Sequence, residues 1–402
     1  MNAAAPVGEF SFTRLEKVVF GPGRIAVLGQ ELARREVRRA VVVTGRTLGG
    51  SPLLDLVTGA MAGRCAGVFS GAAQHVPSRT VRDLTELLRR VDADAVVSFG
   101  GGSPIDTAKV AAASMLNGRD MTRVGDGQLE LSAAFGPATG GPGFPHIAVP
   151  TTLSAGEYTP AGGATDEATR TKRATIDPRL QPVVVINDPQ LTAATPDWLW
   201  AATGMRAMDH AIEAAYSIRA QPFVDALATK AIRLLATHLP PSLRAEGQAR
   251  EAHRGQCQIA AWCSLYGGFN TGLGISHALG HQIGPAWDVP HGVTSCITLP
   301  HAMRFMAGAA PERFGPIADG LDIVFDPAAP AFAAFACADR ITAFVAGLDV
   351  PRSLREVGVS HNQLPEIAGK VHEEIELFGT VGRPMRLEEV RSLLEAAYQA
   401  PD

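Results

Sequence analysis

The chain has 402 residues, 46% hydrophobic and 19% charged, enough for two ordinary domains and typical of a packed protein rather than a disordered one. A net charge of -4 and a pI near 6.3 give no basic excess for holding nucleic acid. The five cysteines, Cys65, Cys257, Cys263, Cys296 and Cys337, are odd in number, scattered and mostly set in apolar runs, which points to reduced core thiols rather than a disulfide framework. Met1 to Phe12 lacks a basic start followed by an apolar stretch, and no apolar run reaches the roughly 18 residues a membrane helix needs. The expected class is a soluble cytoplasmic protein with no membrane partner.

Glu9 to Phe20 alternates and ends at Gly21-Pro22-Gly23, which predicts a β-hairpin or an edge strand. Short β-branched runs then alternate with helical, Leu- and Arg-rich segments, the pattern of a parallel sheet covered by helices. Arg39 to Thr44, Ala95 to Phe99, His146 to Pro150 and Pro182 to Asn187 read as buried strands, and Val81 to Val91 carries Leu84, Leu87 and Leu88 at helical spacing. Gly136 to Gly143 reads as a surface loop. From about Asp188 the β-branched runs stop, and Ala- and Leu-rich helical stretches punctuated by Pro196, Pro240-Pro241, Pro290, Pro300 and Pro351 continue to the end. Two domains are expected, an α/β domain over 1–189 and an all-helical domain over 190–402.

The strand Ala95 to Phe99 runs straight into Gly100-Gly101-Gly102-Ser103-Pro104. Three glycines, a capping Ser and a Pro in the first helical turn bring backbone N–H groups and a helix dipole to one point, which makes a cradle for a diphosphate. The spacing is not GxGxxG, so an ordinary Rossmann dehydrogenase is a poor match.

At this point the chain resembles a known group. GGGSPIDTAK from Gly100, Pro150-Thr151-Thr152, Lys172 ahead of Asp177-Pro178, HAIEA at His210 and HALGHQIGPAWDVPHG at His277 are similar to the iron-containing alcohol dehydrogenase superfamily. FTRLEKVVFGPG at Phe12 and the continuation into LPHAMRF resemble its maleylacetate reductase branch in particular. The resemblance implies a dehydroquinate synthase-like α/β domain with a parallel sheet, an all-α C-terminal domain and an NAD(P)H site in the cleft between them. It also implies a homodimer formed through the N-terminal domain, with Phe10 to Phe20 at the seam. Carried over by residue, Gly100, Gly101, Gly102 and Ser103 would hold the diphosphate, supported by Asp106. Thr151, Thr152 and Leu153 would line the nicotinamide, with Lys172 near the ribose. Thr44-Gly45-Arg46 follows the first buried strand, where NAD-specific relatives often carry an Asp. Gly45 removes that acid and Arg46 would attract a 2'-phosphate, so NADPH is expected to serve as well as NADH.

His277 and His281 lie four apart on one helical face, and His291 follows Pro290 in the next turn. In metal-dependent relatives the positions matching His210, His277 and His291 are ligands, while that matching His281 sits near the nicotinamide. The remaining, anionic ligand would stand one helical turn before His210, where this chain has Arg206. A guanidinium has no lone pair to donate. At about 4 Å and an effective dielectric near 20 it would oppose a cation by roughly 4 kcal/mol, on the order of a thousandfold in affinity. Asp209 is turned about 100° from His210 and does not restore the ligand, whereas Glu213 can accept an imidazole N–H.

Arg206, His210, His277, His281 and His291 are therefore the candidate catalytic residues, with His210, His277 and His291 the metal ligands if any metal is bound. The expected activity is a metal-independent NAD(P)H reductase of a small anionic oxo acid such as maleylacetate, or of a related conjugated substrate. Arg206 would polarise the carbonyl and grip a carboxylate with its two-pronged fork. Two other readings stand beside it: a family member recruited to non-redox chemistry, and a silent binding protein on the same scaffold.

Overall fold

A computed structural model describes residues 8–122, 143–169 and 171–399; the 136–142 part of the glycine-rich loop lies outside them. No described helix is long and apolar enough to cross a membrane. None of the five cysteines forms a disulfide; Cys257, Cys296 and Cys337 are buried and the other two half-buried.

The first compact unit runs from Phe12 to Pro196 and takes in Glu246–Ile259. Its strands are β1 (Lys17–Phe20), β2 (Ala40–Gly45), β3 (Cys65–Ala72), β4 (Ala95–Gly100), β5 (His146–Pro150), β6 (Ala161–Asp166), β7 (Thr171–Ile176) and β8 (Val184–Asn187). Six form a parallel sheet in the order β1-β8-β5-β4-β2-β3, and β6 and β7 pair antiparallel by themselves. Parallel strands need crossover connections, and here helices α1 (Leu28–Arg34), α2 (Pro52–Ala60), α3 (Ser78–Arg90) and α4 (Gly102–Asn117) lie between them in the chain.

Both faces of the sheet are covered, which is why β2, β4 and β5 are rich in apolar residues on both faces; the polar exceptions Ser98 and His146 are buried and hydrogen-bonded to each other. Val42, Val97, Phe99, Ile147 and Val149 feed one core, while Val41, Val43 and Val96 feed the other. β1 is an edge strand and pairs parallel with β8, not within a hairpin. Sequence reading overlooked β3 and the β6-β7 pair. β3 is the opposite edge strand, where Gly67, Ser70 and Gly71 dilute the β-branched signal and half or more of the residues keep some exposure.

The second unit is helical: α5 (Asp197–Tyr216), α6 (Pro222–Arg244), the end of α7 (Gly247–Leu265), α8 (Ile275–Trp287), α9 (His291–Ala309), α10 (Pro330–Ala346), α11 (Leu364–Phe378) and α12 (Leu387–Tyr398), with shorter turns between them. Of the described residues before the first unit, 8–11 belong to it as well. The units divide between Pro196 and Asp197, and Glu246–Ile259 belongs to the α/β unit. There Gln258 Nε2 donates to the Pro150 carbonyl at 3.3 Å, and buried Arg254 donates to the Thr192 carbonyl at 2.5 Å. Pro240, Pro241 and Pro300 do not end helices as the punctuation suggested, for all three lie inside them. α9 is buried along most of its length, and that packing outweighs the roughly 3 kcal/mol cost of an interior proline.

Candidate active site

The glycine turn is built as a backbone surface. Gly100 adopts φ +145°, and a Cβ there would meet Pro104 at 2.8 Å. A Cβ on Gly101 would meet Thr152 at 3.0 Å, and one on Gly102 would meet the Ser154 hydroxyl at 3.3 Å. α4 starts at Gly102, so Ser103 sits inside the first turn and is not its cap; Gly101 is, and no side chain caps the helix. The N–H groups at the head of a 16-residue helix are thus left for an anion, and Pro104 has none to satisfy.

Asp106, on the next turn, faces Gly156, with Oδ1 3.8 Å from where a Cβ there would stand. Lys109 ties α4 to the following loop, donating to the carbonyls of Gly156 (2.6 Å), Thr159 (2.6 Å) and Ala161 (2.8 Å). Burial pushes its amine down to about 8. Thr151, Thr152 and Leu153 are buried, and the Thr151 carbonyl accepts from Thr195 Oγ1 at 2.7 Å. Thr44, next to last in its strand, is fully buried, while Arg46 is exposed at the head of a one-turn helix that follows Gly45. Lys172 stands opposite Thr165 in the β6-β7 pair, and its side chain lies outside the described residues.

The histidines gather in the helical unit. α5 brings Arg206 and His210, α8 brings His277 and His281, and a reversal through Asp288 in the left-handed region starts α9 at His291. Gly292 permits the closeness, since a Cβ there would lie 2.7 Å from the Ala202 backbone. Ring centroids of His210 and His277 are 4.9 Å apart, those of His277 and His291 6.5 Å, and His281 stacks on His291 at 5.1 Å and 8°. All five candidate catalytic residues are brought together.

Arg206 is 6% exposed and held at both ends of its fork. Nη1 donates to Ser295 Oγ at 3.2 Å, and Nη2 donates to His291 Nε2. Since an arginine only donates, His291 Nε2 is the acceptor and the ring proton sits on Nδ1. The counter-charge is Asp209, whose Oδ2 lies 3.7 Å from Nη1 and accepts from Ser295 Oγ (2.6 Å) and Ser276 Oγ (2.9 Å).

Glu213 receives four donors: the Gly274 and Ser276 N–H groups, the Tyr216 hydroxyl, and His277 Nδ1 at 2.5 Å. These fill its four lone-pair directions, so His277 carries its proton on Nδ1. Burial, then Arg206, holds His210 and His277 well below the usual imidazole range, and both rings are neutral. Burial lowers Arg206 to about 10, opposed by Asp209 and Glu213. It raises Asp209 to about 8, with Glu213 adding to the rise and Arg206 opposing it.

Two family models match consecutive parts of the chain: iron-containing alcohol dehydrogenase over 16–189, and the C-terminal part of the Fe-containing alcohol dehydrogenase family over 200–398. The chain belongs to the iron-containing alcohol dehydrogenase family. Relatives in it include a 1,3-propanediol dehydrogenase of Citrobacter freundii, 34% identical over 87% of this chain and 89% of that protein. Lactaldehyde reductase of Escherichia coli is 31% identical over 95% and 98%, and a Rhizobium maleylacetate reductase 29% identical over 95% of each. The crystal structure of maleylacetate reductase from Agrobacterium tumefaciens superposes with a TM-score of 0.79 at 26% identity, covering 98% of this chain and 99% of that one.

The family name raises the question of a metal, and the residues present do not fit one. His291 Nε2 is committed to Arg206, and the guanidinium is fixed where a dication would be opposed. His210 Nδ1 and His277 Nε2 are buried without a hydrogen-bond partner among the described residues, so two imidazole nitrogens, not three, await an occupant. A second grouping, Asp209, Glu213 and His277, has ligand atoms within 4.8 Å of one another, but the lone pairs of Glu213 are filled by the donors named above.

The Arg206 fork is likewise engaged inside the protein, so the two-pronged grip on a substrate carboxylate expected from the sequence is not open. Sequence reading also missed Ser295, Ser276 and Glu374. Ser295 is four residues after His291 and legible from helical spacing. Glu374, which accepts from His281 Nδ1 at 2.5 Å, is 93 positions away and gave no signal.

Proposed function

We propose that the chain is an NAD(P)H-dependent reductase of a small oxo acid, maleylacetate or a near relative of it, acting without a metal ion. The observation that carries this is the buried Arg206 guanidinium, hydrogen-bonded to His291 and Ser295 in the middle of the histidine cluster. Hydride arriving at a carbonyl carbon drives the π electrons onto oxygen, and a fixed positive charge in a site of low dielectric stabilises that oxygen without reorganising. Arg206 supplies this charge as a point source, oriented by Asp209, and not as a carboxylate clamp.

Support for the cofactor comes from the uncapped glycine turn and from relatives that include an NAD-dependent methanol dehydrogenase of Bacillus methanolicus, 30% identical over 89% of this chain. Support for an oxo-acid substrate comes from the maleylacetate reductases. Gly45 and exposed Arg46 favour use of NADPH alongside NADH.

The test is NADH and NADPH oxidation with a panel of oxo acids and aldehydes, with metal content measured before and after chelation. Turnover of an oxo acid that survives chelation is expected. Stoichiometric iron or zinc with chelator-sensitive turnover sinks the metal-free mechanism, and failure to bind either nicotinamide sinks the reductase assignment.

A further inference from the structure

His281 is held on three sides, by Glu374, Phe378 and His291, and the family likeness assigns neither Glu374 nor Phe378. Its Nδ1 is 2.5 Å from Glu374 Oε1, and the other carboxylate oxygen of Glu374 accepts from Gln282 Nε2 at 2.7 Å. Phe378, one helical turn beyond Glu374 on α11, meets the ring edge-on at 6.1 Å, and His291 stacks on its face. The His281 side chain keeps 29% exposure, while that of Glu374 keeps 15%. Such a ring has neither a free choice of tautomer nor of orientation. Each other imidazole of the cluster is placed differently: His291 is bonded to Arg206, and His210 and His277 are buried.

We propose that Glu374 is a positioning residue for the redox step: it takes the Nδ1–H of His281 and so leaves Nε2 as the nitrogen that exchanges a proton with the substrate oxygen. The proposal rests on the reductase reading above. In the reduction, hydride leaves C4 of the dihydronicotinamide and forms a C–H bond at the carbonyl carbon. The C=O π pair moves to oxygen, and the proton on Nε2 of the charged ring forms the O–H bond. The oxidised nicotinamide and an alcohol result, and His281 regains its proton from solvent through its exposed edge. Glu374 contributes by fixing which nitrogen keeps its proton and by aiming the ring, the role a carboxylate plays behind any histidine that must present one chosen nitrogen.

The experiment compares wild-type protein with Glu374→Gln and Glu374→Leu, all as full chains. Glutamine keeps an acceptor for Nδ1–H but loses the charge; leucine loses both. Expected is a fall in kcat of about tenfold for Glu374→Gln and about a hundredfold for Glu374→Leu, the low end of the range for acid-base catalysis, with KM within about twofold. A rise in KM at unchanged kcat overturns the proposal. Nitrogen-15 NMR of the imidazoles, with His281 assigned by difference against His281→Gln, gives a readout independent of substrate. The wild-type ring is expected as the Nδ1–H tautomer, and Glu374→Leu is expected to shift it toward Nε2–H. Retention of the Nδ1–H tautomer in Glu374→Leu overturns the role of Glu374 alone. Absence of turnover by the wild-type protein on every oxo substrate with either nicotinamide overturns the reductase reading, and the proton-exchange step with it.

Discussion

Replacing Arg206 with methionine removes the charge while keeping much of the side-chain length, and the pH dependence of the damage separates the ion pair from packing. At 3.7 Å from Asp209, an effective dielectric near 20 gives an attraction of roughly 4.5 kcal/mol when both are charged. Asp209 is pushed up to about 8 by burial and by Glu213, and Arg206 is what opposes that rise. A carboxyl raised in the folded state holds its proton where the unfolded chain has lost it, so its contribution is complete at low pH and drains away as pH rises through the folded value. Without Arg206 the folded value climbs further, and Arg206→Met should therefore lose more stability the higher the pH. Near pH 6, where Asp209 is largely protonated in both proteins, only the hydrogen bonds to Ser295 and His291 are lost, a cost of about 1–3 kcal/mol. Near pH 9, one unit above the wild-type value of about 8, the titration adds up to about 1.4 kcal/mol and the loss should reach about 2–4 kcal/mol. Urea unfolding at the two pH values measures both. Equal losses would mean that Asp209 is not the counter-ion and would refute the reasoning.

Arg206→Asp should bind zinc or iron where the wild-type protein does not, read as a metal-dependent rise in Tm and as bound metal by mass spectrometry; no metal-dependent rise would show that the other ligands are misplaced. Gly292→Ala puts a Cβ 2.7 Å from the Ala202 backbone and should cost about 1–3 kcal/mol in unfolding free energy and lower kcat by moving His291; wild-type values for both would show that α9 can slide. Gly45→Asp has just enough space, 3.4 Å from the Ala72 carbonyl, and should raise KM for NADPH at least about tenfold while leaving NADH little changed, since like charges repel without loss of fold. Equal effects on both cofactors would place the 2'-phosphate elsewhere.

The central strands are readable from the sequence because burial on both faces reduces the need for polar residues, so Val41 to Val43 and Ala95 to Val97 stand out as apolar runs. β3 is not, because an edge strand with one partner tolerates glycine and serine at positions that a central strand would fill. The interior prolines mislead for the opposite reason. Their local cost is real, but α9 is buried along most of its length and recovers it through packing that no local window reveals. The glycine turn is legible as an anion cradle, yet its capping pattern is not. Ser103 has the right side chain for a cap but falls two residues inside the helix, and the open N-terminus that results suits a phosphate better than a capped one would.

The cluster itself shows how a correct local geometry can hide its consequence. Asp209 is indeed turned away from His210, and for that reason contributes nothing beside it as a ligand. The same rotation puts it three residues from Arg206 on one face of α5, where an acid and a guanidinium meet. Arg206 and Asp209 therefore have to be considered as a pair. A buried guanidinium alone would cost several kcal/mol, and Arg206 in turn opposes the burial that pushes the Asp209 carboxyl up to about 8. Together, with Ser276 and Ser295 donating to the carboxylate, they hold one positive charge at a fixed point against His291.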